Sequence, residues 1–368
     1  MSDLSFKTLR DTDFQGKVVL VRFDYNVPLS NGEITSDLRI RASLPTLHYL
    51  LENGARKIII ISHLGKPKGE YKTELSLGPV ARRLEELLNS DNPDDTSHIS
   101  VEFCPENTGT TVQDAVENLP AHSILLLENL RFNPGEEANS PDFAAELAQA
   151  TGAEVFVQDG FAVVHRAHAS TSAITKHLPA SAGLLVENEV DKLSKVLYNP
   201  EKPFVIIIGG AKVDDKSPLI ERLAPQADRI FVGGKISADG YTTDDEKVDV
   251  ATTFSTDTKL DVSTDWVKHL IQYLEEHQVK TVLWNGVLGM VEEPEFAAGS
   301  QMLAEYLGSH PEITSVICGG DTSGFVENLI STNSDLHFAL ISTGGGAALE
   351  FLSGAALSGL TALTTNYD

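Results

Sequence analysis

The chain has 368 residues, and its 53 Asp plus Glu against 28 Lys plus Arg give a formal net charge of −25 at pH 7. This acidity argues against nonspecific binding to nucleic acid or to an anionic membrane, because both need a basic protein surface. The length predicts two or three domains, and the hydrophobic fraction of 41% excludes a disordered chain.

The sequence has no apolar run long enough to span a bilayer, and its first residues lack the basic and then apolar layout of a signal peptide. Its two cysteines, Cys104 and Cys318, are far apart in the sequence and cannot form a framework of disulfides. These features predict a globular cytoplasmic protein with no membrane or nucleic-acid partner.

Short β-branched runs alternate with amphipathic helical stretches along the chain, and such continuous apolar runs are typical of strands covered on both faces. The predicted strands are Val18–Val21, Lys57–Ile61, Ser123–Leu127, Val155–Val157, Phe204–Ile208, Arg229–Val232, Thr281–Leu283, Ser315–Ile317 and Ala339–Ile341. The predicted helices include Leu44–Asn53, Leu77–Leu88, Asp142–Ala150, Asp265–His277 and Phe296–Gly308. The alternation predicts doubly wound α/β architecture with parallel sheets.

The alternation is interrupted once, near the middle of the chain. The stretch Ala182–Tyr198 has a helical pattern and ends before Asn199–Pro200. We therefore predict an N-terminal α/β domain over residues 1–180, a connecting helix over residues 181–198 and a C-terminal α/β domain over residues 199–368.

In open α/β sheets, ligands bind beyond the carboxyl ends of the strands. In the first half, four consecutive predicted strands are each followed by a cation or an imidazole. These strand ends carry Asp24, Asn26, Arg39 and Arg41, then His63 and Lys66, then Arg131, and finally Asp159, His165, Arg166 and His168. Each charge alone is explained by a solvated loop, but together they favour an anion site, because the planar guanidinium binds carboxylate or phosphate through two hydrogen bonds. Zinc at His165 and His168 is disfavoured, since no further ligand cluster accompanies them and Arg166 lies between them.

In the second half, glycine-rich loops follow the predicted strands. The segment GGAKVDDK (209–216) is followed later by CGGDT (318–322) and by STGGGAALEFL (342–352). Glycine lets backbone N–H groups approach an anion at a helix N-terminus. Tight turns explain any one of these loops, but the run Gly344–Gly346 carries an entropic cost that a plain turn does not need. Asp321 is a candidate Mg²⁺ ligand, with helix capping as the alternative.

Three common motifs are absent from the sequence. It contains no Walker-type phosphate loop, no G-x-G-x-x-G after a strand and no G-x-S-x-G elbow. The sequence therefore favours neither hydride transfer nor acyl hydrolysis.

A series of motifs resembles those of phosphoglycerate kinases, in the family order and over nearly the whole chain. They are VVLVRFDYNVPL, SHLGKPKGE, LLLENLRF, HRAHAST, GGAKVDDK, WNGVLG, GGDT and STGGGAALEFL. The resemblance implies two Rossmann-like domains that face each other across a cleft and close about a helical hinge. It implies a glycolytic kinase, a phosphotransferase with a carboxyl group as acceptor, which transfers a phosphoryl group reversibly between 1,3-bisphosphoglycerate and Mg-ADP to give 3-phosphoglycerate and ATP.

The resemblance also implies the site residues, position by position. The 3-phosphoglycerate site would comprise Asp24, Asn26, Arg39, His63, Lys66, Arg131 and Arg166. The nucleotide site would comprise Gly210, Lys212, Lys216, Asn285, Glu292, Gly320, Asp321, Thr322, Gly344 and Gly345. Arg39 and Lys216 would act on the transferring phosphoryl group, Glu292 on the ribose and Asp321 on the Mg²⁺ of the nucleotide. Family members are generally monomeric, so a monomer with only small-molecule partners is expected.

The chain departs from the family pattern mainly at the adenine end. Lys66 stands where arginine is usual, Val287 where proline is usual, and Lys235 and Lys259 where glycines are usual. The interval between residues 233 and 284 is also shorter than in the family. We therefore expect weaker or less selective nucleotide binding. The alternative function is a catalytically weak or silent homologue with an eroded adenine site. The sequence leaves open the catalytic rate, the physiological direction and whether the extreme C-terminus packs back on the N-terminal domain.

Overall fold

The computed structural model describes residues 5–90, 98–210 and 217–364. The chain divides into two compact units, one formed by residues up to Asn188 together with those from Ala356 onward, and the other by Glu189–Ala355. The division falls inside one helix, between the boundaries that the sequence predicts at residues 180 and 199.

Fourteen strands are described, mostly short. In chain order they are β1 (Val18–Arg22), β2 (Leu29–Ser30), β3 (Glu33–Ile34), β4 (Lys57–Ile61), β5 (Val101–Cys104), β6 (Ser123–Leu127), β7 (Val155–Gln158), β8 (Ala180–Ala182), β9 (Phe204–Ile208), β10 (Arg229–Val232), β11 (Val248–Val250), β12 (Thr281–Asn285), β13 (Thr314–Cys318) and β14 (Leu340–Ile341).

The described helices connect these strands and cover the sheets. They are α1 (Leu38–Arg41), α2 (Leu44–Glu52), α3 (Gly78–Leu88), α4 (Thr110–Asn118), α5 (Pro134–Glu137), α6 (Pro141–Thr151), α7 (Leu184–Tyr198), α8 (Ser217–Leu223), α9 (Gly234–Ala238), α10 (Thr264–Glu276), α11 (Ala298–Gly308), α12 (Gly320–Thr332), α13 (Gly346–Leu352) and α14 (Ser358–Thr364). None of them combines the length and the apolar character that crossing a membrane requires.

Each unit contains one six-stranded sheet in which every pairing is parallel. The strand order is β5-β6-β4-β1-β7-β8 in the first unit and β11-β10-β9-β12-β13-β14 in the second. The second order is that of a Rossmann sheet, whose winding reverses between β9 and β12. In the first sheet the corresponding reversal lies between β1 and β7. The two predicted α/β units with parallel sheets are confirmed.

The central strands read as apolar runs because helices cover both faces of each sheet. Every residue of β1, β6, β9 and β12 is buried. The charged residue in these four strands is Arg22, the last residue of β1, and it is fully buried. A buried charge is costly unless it is paired and hydrogen-bonded. The partners of Arg22 therefore define the local structure at this strand end.

Helix α7 contains the division point and is anchored by two buried carboxyl groups. Within the first unit, Asp159 Oδ1 accepts from Leu185 N at 2.9 Å and from Val186 N at 3.1 Å, which caps the helix. Within the second unit, Glu189 Oε1 accepts from Thr343 N at 2.7 Å. Burial raises the pKa of both Asp159 and Glu189 to about 7.

The last described helix belongs to the first unit. Helix α14 contacts β8, and Gly359 N donates to Val164 O at 2.7 Å. A Cβ at Gly359 would lie 3.0 Å from Val164 Cα, so glycine permits this close approach.

Candidate functional site

The buried Arg22 lies at the centre of a polar network at the carboxyl edge of the first sheet. Its Nε donates to Ser170 Oγ at 3.0 Å, and its Nη2 lies 3.1 Å from His63 Nδ1. Its Nη1 contacts the Phe23 carbonyl and lies 3.4 Å from Ser62 Oγ. Burial lowers the pKa of Arg22, although even a lowered guanidinium pKa leaves it protonated. The network therefore holds a permanent positive charge beneath the carboxyl edge of the first sheet.

Four guanidinium groups act on His63, which follows β4. Burial lowers the pKa of His63 well below its ordinary value, and the charges of Arg22, Arg131, Arg39 and Arg166 lower it further. Arg22 Nη2 lies 3.1 Å from His63 Nδ1, and Arg39 contacts Asp24, whose Oδ1 lies 3.5 Å from the same nitrogen, so arginines that are distant in the sequence lie near this imidazole. His63 is consequently neutral near pH 7.

Asp24 follows β1 and links two further residues to this cluster. Its Oδ2 contacts Arg39 Nη1 in an ion pair, and its Oδ1 accepts from Asn26 N at 3.1 Å. Asn26 Oδ1 in turn accepts from Gly65 N at 2.8 Å, which holds the loop after β4 against the loop after β1. Asp24, Asn26, Arg39 and His63 thus belong to one contiguous arrangement.

Arg131 follows β6 and is 2% exposed. Its Nη1 donates to Gly65 O at 2.8 Å, and its Nε lies 3.2 Å from Glu137 Oε1. Its buried Nη2 has no hydrogen-bond partner among the described residues. Burial lowers the Arg131 pKa, Glu137 raises it, and Arg166 and Arg22 lower it. An unsatisfied guanidinium nitrogen in a cationic environment is suited to receive an anion.

The other predicted residues of this half occupy the periphery of the cluster. Arg166 is half-buried, and its Nε donates to His165 Nε2 at 3.1 Å. Lys66 is exposed. It lies on the loop after β4, which is joined to Arg131 by hydrogen bonds of Gly65 O and Gly69 N. Within the described ranges, no group of three or more His, Cys, Asp or Glu side chains could hold a metal ion.

Three residues of this network were missed by sequence reasoning. Arg22 ends an otherwise apolar strand run, VVLVR, and a charge at that position is a signal that could have been used. Glu136 and Ser170 are both completely buried, and Ser170 donates to Glu136. Serine and glutamate in polar loops have no sequence feature that marks them as buried, so only the fold reveals their role.

In the second unit the corresponding edge is built from backbone. Gly209 N donates to Asn285 O at 2.9 Å and Gly210 N to Val287 O at 2.8 Å, so the loops after β9 and β12 cross in direct contact. A Cβ at Gly286 would overlap the carbonyl of Gly209, and Gly286 has a φ of 100°. Glycine is required here for both reasons. This crossing lies at the reversal of strand order, where α/β sheets bind ligands.

Helix α12 begins beside this crossing. Gly286 N donates to Thr322 Oγ1 at 2.9 Å, and Thr322 is fully buried. Gly320 and Asp321 lie in the first turn of α12 and are exposed. The helix therefore directs its N-terminal N–H groups and an acidic side chain toward the same edge.

The remaining nucleotide-site candidates lie on neighbouring loops. Asn285 is buried at the end of β12, and Glu292 is exposed farther along the same loop. Gly345 has a φ of 50°, and a Cβ there or at Gly346 would meet nothing within 4 Å, so this loop borders open space. Lys212 and Lys216 lie outside the described residues.

The segments around Lys259 and after Val287, which depart from the family pattern, contact each other. Met290 N donates to Leu260 O at 2.8 Å, and this hydrogen bond joins the two segments. Lys259, in the glycine position, has a φ of 56°, and its Nζ lies 5.3 Å from the centre of the Phe254 ring. A left-handed conformation strains a lysine, and the cation–π contact offsets part of that strain.

Comparison with known proteins gives one consistent result. The family model described as phosphoglycerate kinase matches residues 9–249 and 237–355. A phosphoglycerate kinase of Borrelia hermsii (strain HS1 / DAH) is 40% identical over 406 residues, covering 98% of this chain and 100% of that protein. One of Dictyoglomus turgidum (strain DSM 6724 / Z-1310) is 37% identical over 409 residues, covering 99% of each chain.

Solved structures agree with these sequence matches. The phosphoglycerate kinase of Coxiella burnetii superimposes with a TM-score of 0.77 at 30% identity, covering 99% of this chain and 100% of that one. The enzyme of Pyrococcus horikoshii OT3 superimposes with a TM-score of 0.83 at 26% identity, covering 98% and 99%.

The matches also bear on the shortened interval. The alignment to the B. hermsii protein has more positions than this chain has residues, so that relative contains residues that this chain lacks. The two segments matched by the family model meet at residues 237–249, inside the interval 233–284. Because the family model covers most of the chain and relatives match over its whole length, this chain belongs to the phosphoglycerate kinase family.

Proposed function

We propose that this protein catalyses reversible phosphoryl transfer between 1,3-bisphosphoglycerate and Mg-ADP, giving 3-phosphoglycerate and ATP in glycolysis. One observation carries the proposal: guanidinium groups from four chain segments converge on His63, and Arg131 among them has a buried, unpartnered Nη2. Such a cluster in a chain of net charge −25 fits a ligand that bears both phosphate and carboxylate groups.

The first unit would bind the glycerate substrate through Asp24, Asn26, Arg39, His63, Lys66, Arg131 and Arg166. The guanidiniums would hold the anionic groups, while Asp24 accepts from the substrate hydroxyl and keeps Arg39 in place through their ion pair. This division assigns the charges of the substrate to cations and its neutral donor to the Asp24 carboxylate.

The second unit would bind the nucleotide at the crossing of its glycine loops. The residues are Gly210, Lys212, Lys216, Asn285, Glu292, Gly320, Asp321, Thr322, Gly344 and Gly345. Backbone N–H groups at the start of α12 are suited to phosphate oxygens. The assignment of Lys212 and Lys216 depends on the GGAKVDDK motif alone.

The donor set also fits a magnesium ion. Asp321 presents an exposed carboxylate in the first turn of α12, next to the proposed phosphate position. Mg²⁺ on nucleotides is held by one or two carboxylates together with phosphate oxygens and water. Bound there, the ion would neutralise phosphate charge and orient the phosphate chain.

The chemistry needs no general base, because the attacking carboxylate of 3-phosphoglycerate is already deprotonated. A phosphoryl transition state needs in-line positioning and neutralisation of its equatorial oxygens. Arg39 and Lys216 are the proposed catalytic residues for that neutralisation. The neutral His63, which cannot take up a proton readily, fits a binding role.

We also propose that the enzyme is a cytoplasmic monomer. The two cysteines are free and buried, which suits a reducing compartment. Size-exclusion chromatography with light scattering would test the monomer, and a dimer mass would contradict it.

No described residue favours the silent homologue, since the arginine cluster and the glycine crossing are both intact.

A coupled assay tests the activity directly. The purified protein should form ATP from 1,3-bisphosphoglycerate and Mg-ADP, and Lys216→Ala should reduce turnover by orders of magnitude. Turnover of the wild type no faster than that of Lys216→Ala would refute the proposal.

Running the assay with both ADP and GDP also tests the altered adenine end of the nucleotide site, for which we expect weaker discrimination between the two nucleotides than in the family. Tight and selective ADP binding by calorimetry would remove that second expectation.

A further inference from the structure

A chain of buried hydrogen bonds lies behind the arginine cluster. Arg22 Nε donates to Ser170 Oγ at 3.0 Å, and Ser170 Oγ donates to Glu136 Oε1 at 2.6 Å. Ser170 N also donates to Glu136 Oε2 at 3.0 Å. All three residues are fully buried. The direction of every bond is fixed, because a guanidinium only donates and an ionised carboxylate only accepts.

Glu136 is ionised in this setting. Burial raises the pKa of Glu136, but the His168 ring, whose Nδ1 lies 3.7 Å from Glu136 Oε1, the charge of Arg22 and the hydrogen bonds from Ser170 more than offset it, so that the pKa lies below its ordinary value. The buried cation of Arg22 therefore has its countercharge one hydroxyl group away. Removing that hydroxyl would break the connection and leave both charges in place.

The opposite end of the guanidinium is also constrained. Ser62 Oγ donates to Phe23 O at 2.8 Å and accepts from Tyr25 N at 2.8 Å, while Arg22 Nη1 contacts the same Phe23 carbonyl. With Nε and Nη1 held, Nη2 is left to face His63 Nδ1 at 3.1 Å.

His63 has two competing arrangements of its ring proton. With the proton on Nε2, Nδ1 accepts from Arg22 Nη2 at 3.1 Å. With the proton on Nδ1, the ring would donate toward Asp24 Oδ1 at the longer distance of 3.5 Å, and Arg22 Nη2 would lose its acceptor. The other charged groups that act on the ring, Arg39, Arg131 and Arg166, oppose a second proton.

We propose that Glu136, acting through Ser170, is a positioning residue that holds Arg22 against His63 and fixes the imidazole in its Nε2–H tautomer. The ring then offers a hydrogen-bond donor, and not a lone pair, to an anionic ligand. That the ligand is the glycerate substrate rests on the proposed function. The tautomer itself does not, because it is a property of the free protein.

The tautomer is measured by long-range ¹H–¹⁵N correlation on the full-length protein labelled at histidine, with His63 assigned by loss of its signals in His63→Gln. We expect the wild type to show the Nε2–H pattern alone at neutral pH. A ring protonated on Nδ1, or on both nitrogens, in the wild type would overturn the proposal without any variant.

Ser170→Ala tests the connection to Glu136. We expect His63 to shift to a mixture of tautomers and the affinity for 3-phosphoglycerate, measured by calorimetry, to fall roughly threefold to tenfold, as for the loss of one hydrogen bond. Affinity for ADP should not change. A wild-type tautomer pattern in folded Ser170→Ala would contradict the proposed role.

Ser76→Ala is the matched control. Ser76 Oγ donates to Glu128 Oε2 at 2.7 Å, which is a partly buried serine–glutamate contact in the same unit but without an arginine. It should leave the His63 signals unchanged, and an equal shift in both variants would mean that the effect is merely structural. Failure of the proposed function would instead appear as absence of 3-phosphoglycerate binding in the wild type, with the tautomer result unaffected.

Discussion

The two units would bind their proposed anionic ligands by opposite means. In the first unit the site consists of charged side chains, and buried partners such as Ser170 and Glu136 hold them in place. In the second unit the described part of the site consists of backbone, and its geometry depends on the absence of side chains at Gly209 and Gly286. The first unit should therefore be sensitive to loss of charge, and the second to the addition of a methyl group.

Adding a methyl group at Gly286 tests the backbone half of this comparison. In Gly286→Ala the new Cβ overlaps the Gly209 carbonyl and the φ of 100° strains alanine. We expect the free energy of unfolding to fall by about 3–5 kcal/mol, combining steric overlap with backbone strain. Urea unfolding measures this change, and calorimetry should show loss of ADP binding.

Gly324→Ala is the control for that prediction. A Cβ at Gly324, in α12, would meet nothing within 4 Å, so the variant should be unchanged or stabilised by up to about 1 kcal/mol. Equal stability of Gly286→Ala and Gly324→Ala would show that the crossing of the two loops is not tight.

Removing one buried charge tests the side-chain half. Arg131→Met keeps much of the apolar stem but removes the guanidinium with its unpartnered Nη2. We expect affinity for 3-phosphoglycerate to fall by about 10²–10³-fold, as for truncation of one partner in a buried charge pair. Arg82→Met, at an exposed position of α3, is the control. Similar losses of affinity in both variants would mean that the effect depends only on the net charge of the protein.

The buried carboxyl groups that anchor α7 extend the comparison to pH dependence. Folded Asp159 keeps its proton up to about pH 7, whereas in the unfolded chain it ionises near 3.8. Between these values the folded state binds more protons, so the free energy of unfolding should fall as pH rises from about 4 to 7 and level off above. Glu189 contributes with the same sign in the second unit.

Asp159→Asn should remove the first of these contributions while keeping an oxygen acceptor for α7. We expect the stability of the variant relative to the wild type to rise between pH 5 and pH 8 by roughly 2–4 kcal/mol. Urea unfolding at several pH values measures the difference. A constant difference between the two proteins from pH 5 to pH 8 would contradict the raised pKa of Asp159.

The smallest expected effect concerns Lys66. Lys66→Arg restores a planar donor at the exposed edge of the cluster, where lysine offers only a point charge. We expect the KM for 3-phosphoglycerate to fall by roughly twofold to fivefold with little change in kcat, as for one added hydrogen bond. An unchanged KM would place Lys66 outside the glycerate site.

The sequence predicted the central strands well because burial on both faces makes them continuous apolar runs. Lys57–Ile61, Ser123–Leu127 and Phe204–Ile208 are observed with the predicted bounds. Five of the described strands were missed. Of these, β5, β8 and β11 lie at the edges of the six-stranded sheets, where one side has no partner strand, and β2 and β3 form a separate pair of only two residues each. Val248–Val250 is half-exposed throughout, so it has no apolar run to detect.

The sequence indicates only some residues of the candidate site, for a related reason. Exposed or strand-end charges such as Arg39 and Arg131 can be recognised because arginine in a loop suggests a ligand. The residues that orient them, such as Ser170 and Glu136, are recognisable only by burial and contacts, which depend on segments distant in sequence. The assignments of Lys212 and Lys216 remain predictions from their motif.

The return of α14 to the first unit has a consequence for biosynthesis. The second unit is one uninterrupted stretch of chain, Glu189–Ala355, so its segments are synthesised one after another with no residues of the first unit between them. The first unit is discontinuous, and the contact between Gly359 and Val164 can form only after the second unit has been synthesised. The unit whose synthesis begins first is therefore completed only after the other unit has been translated.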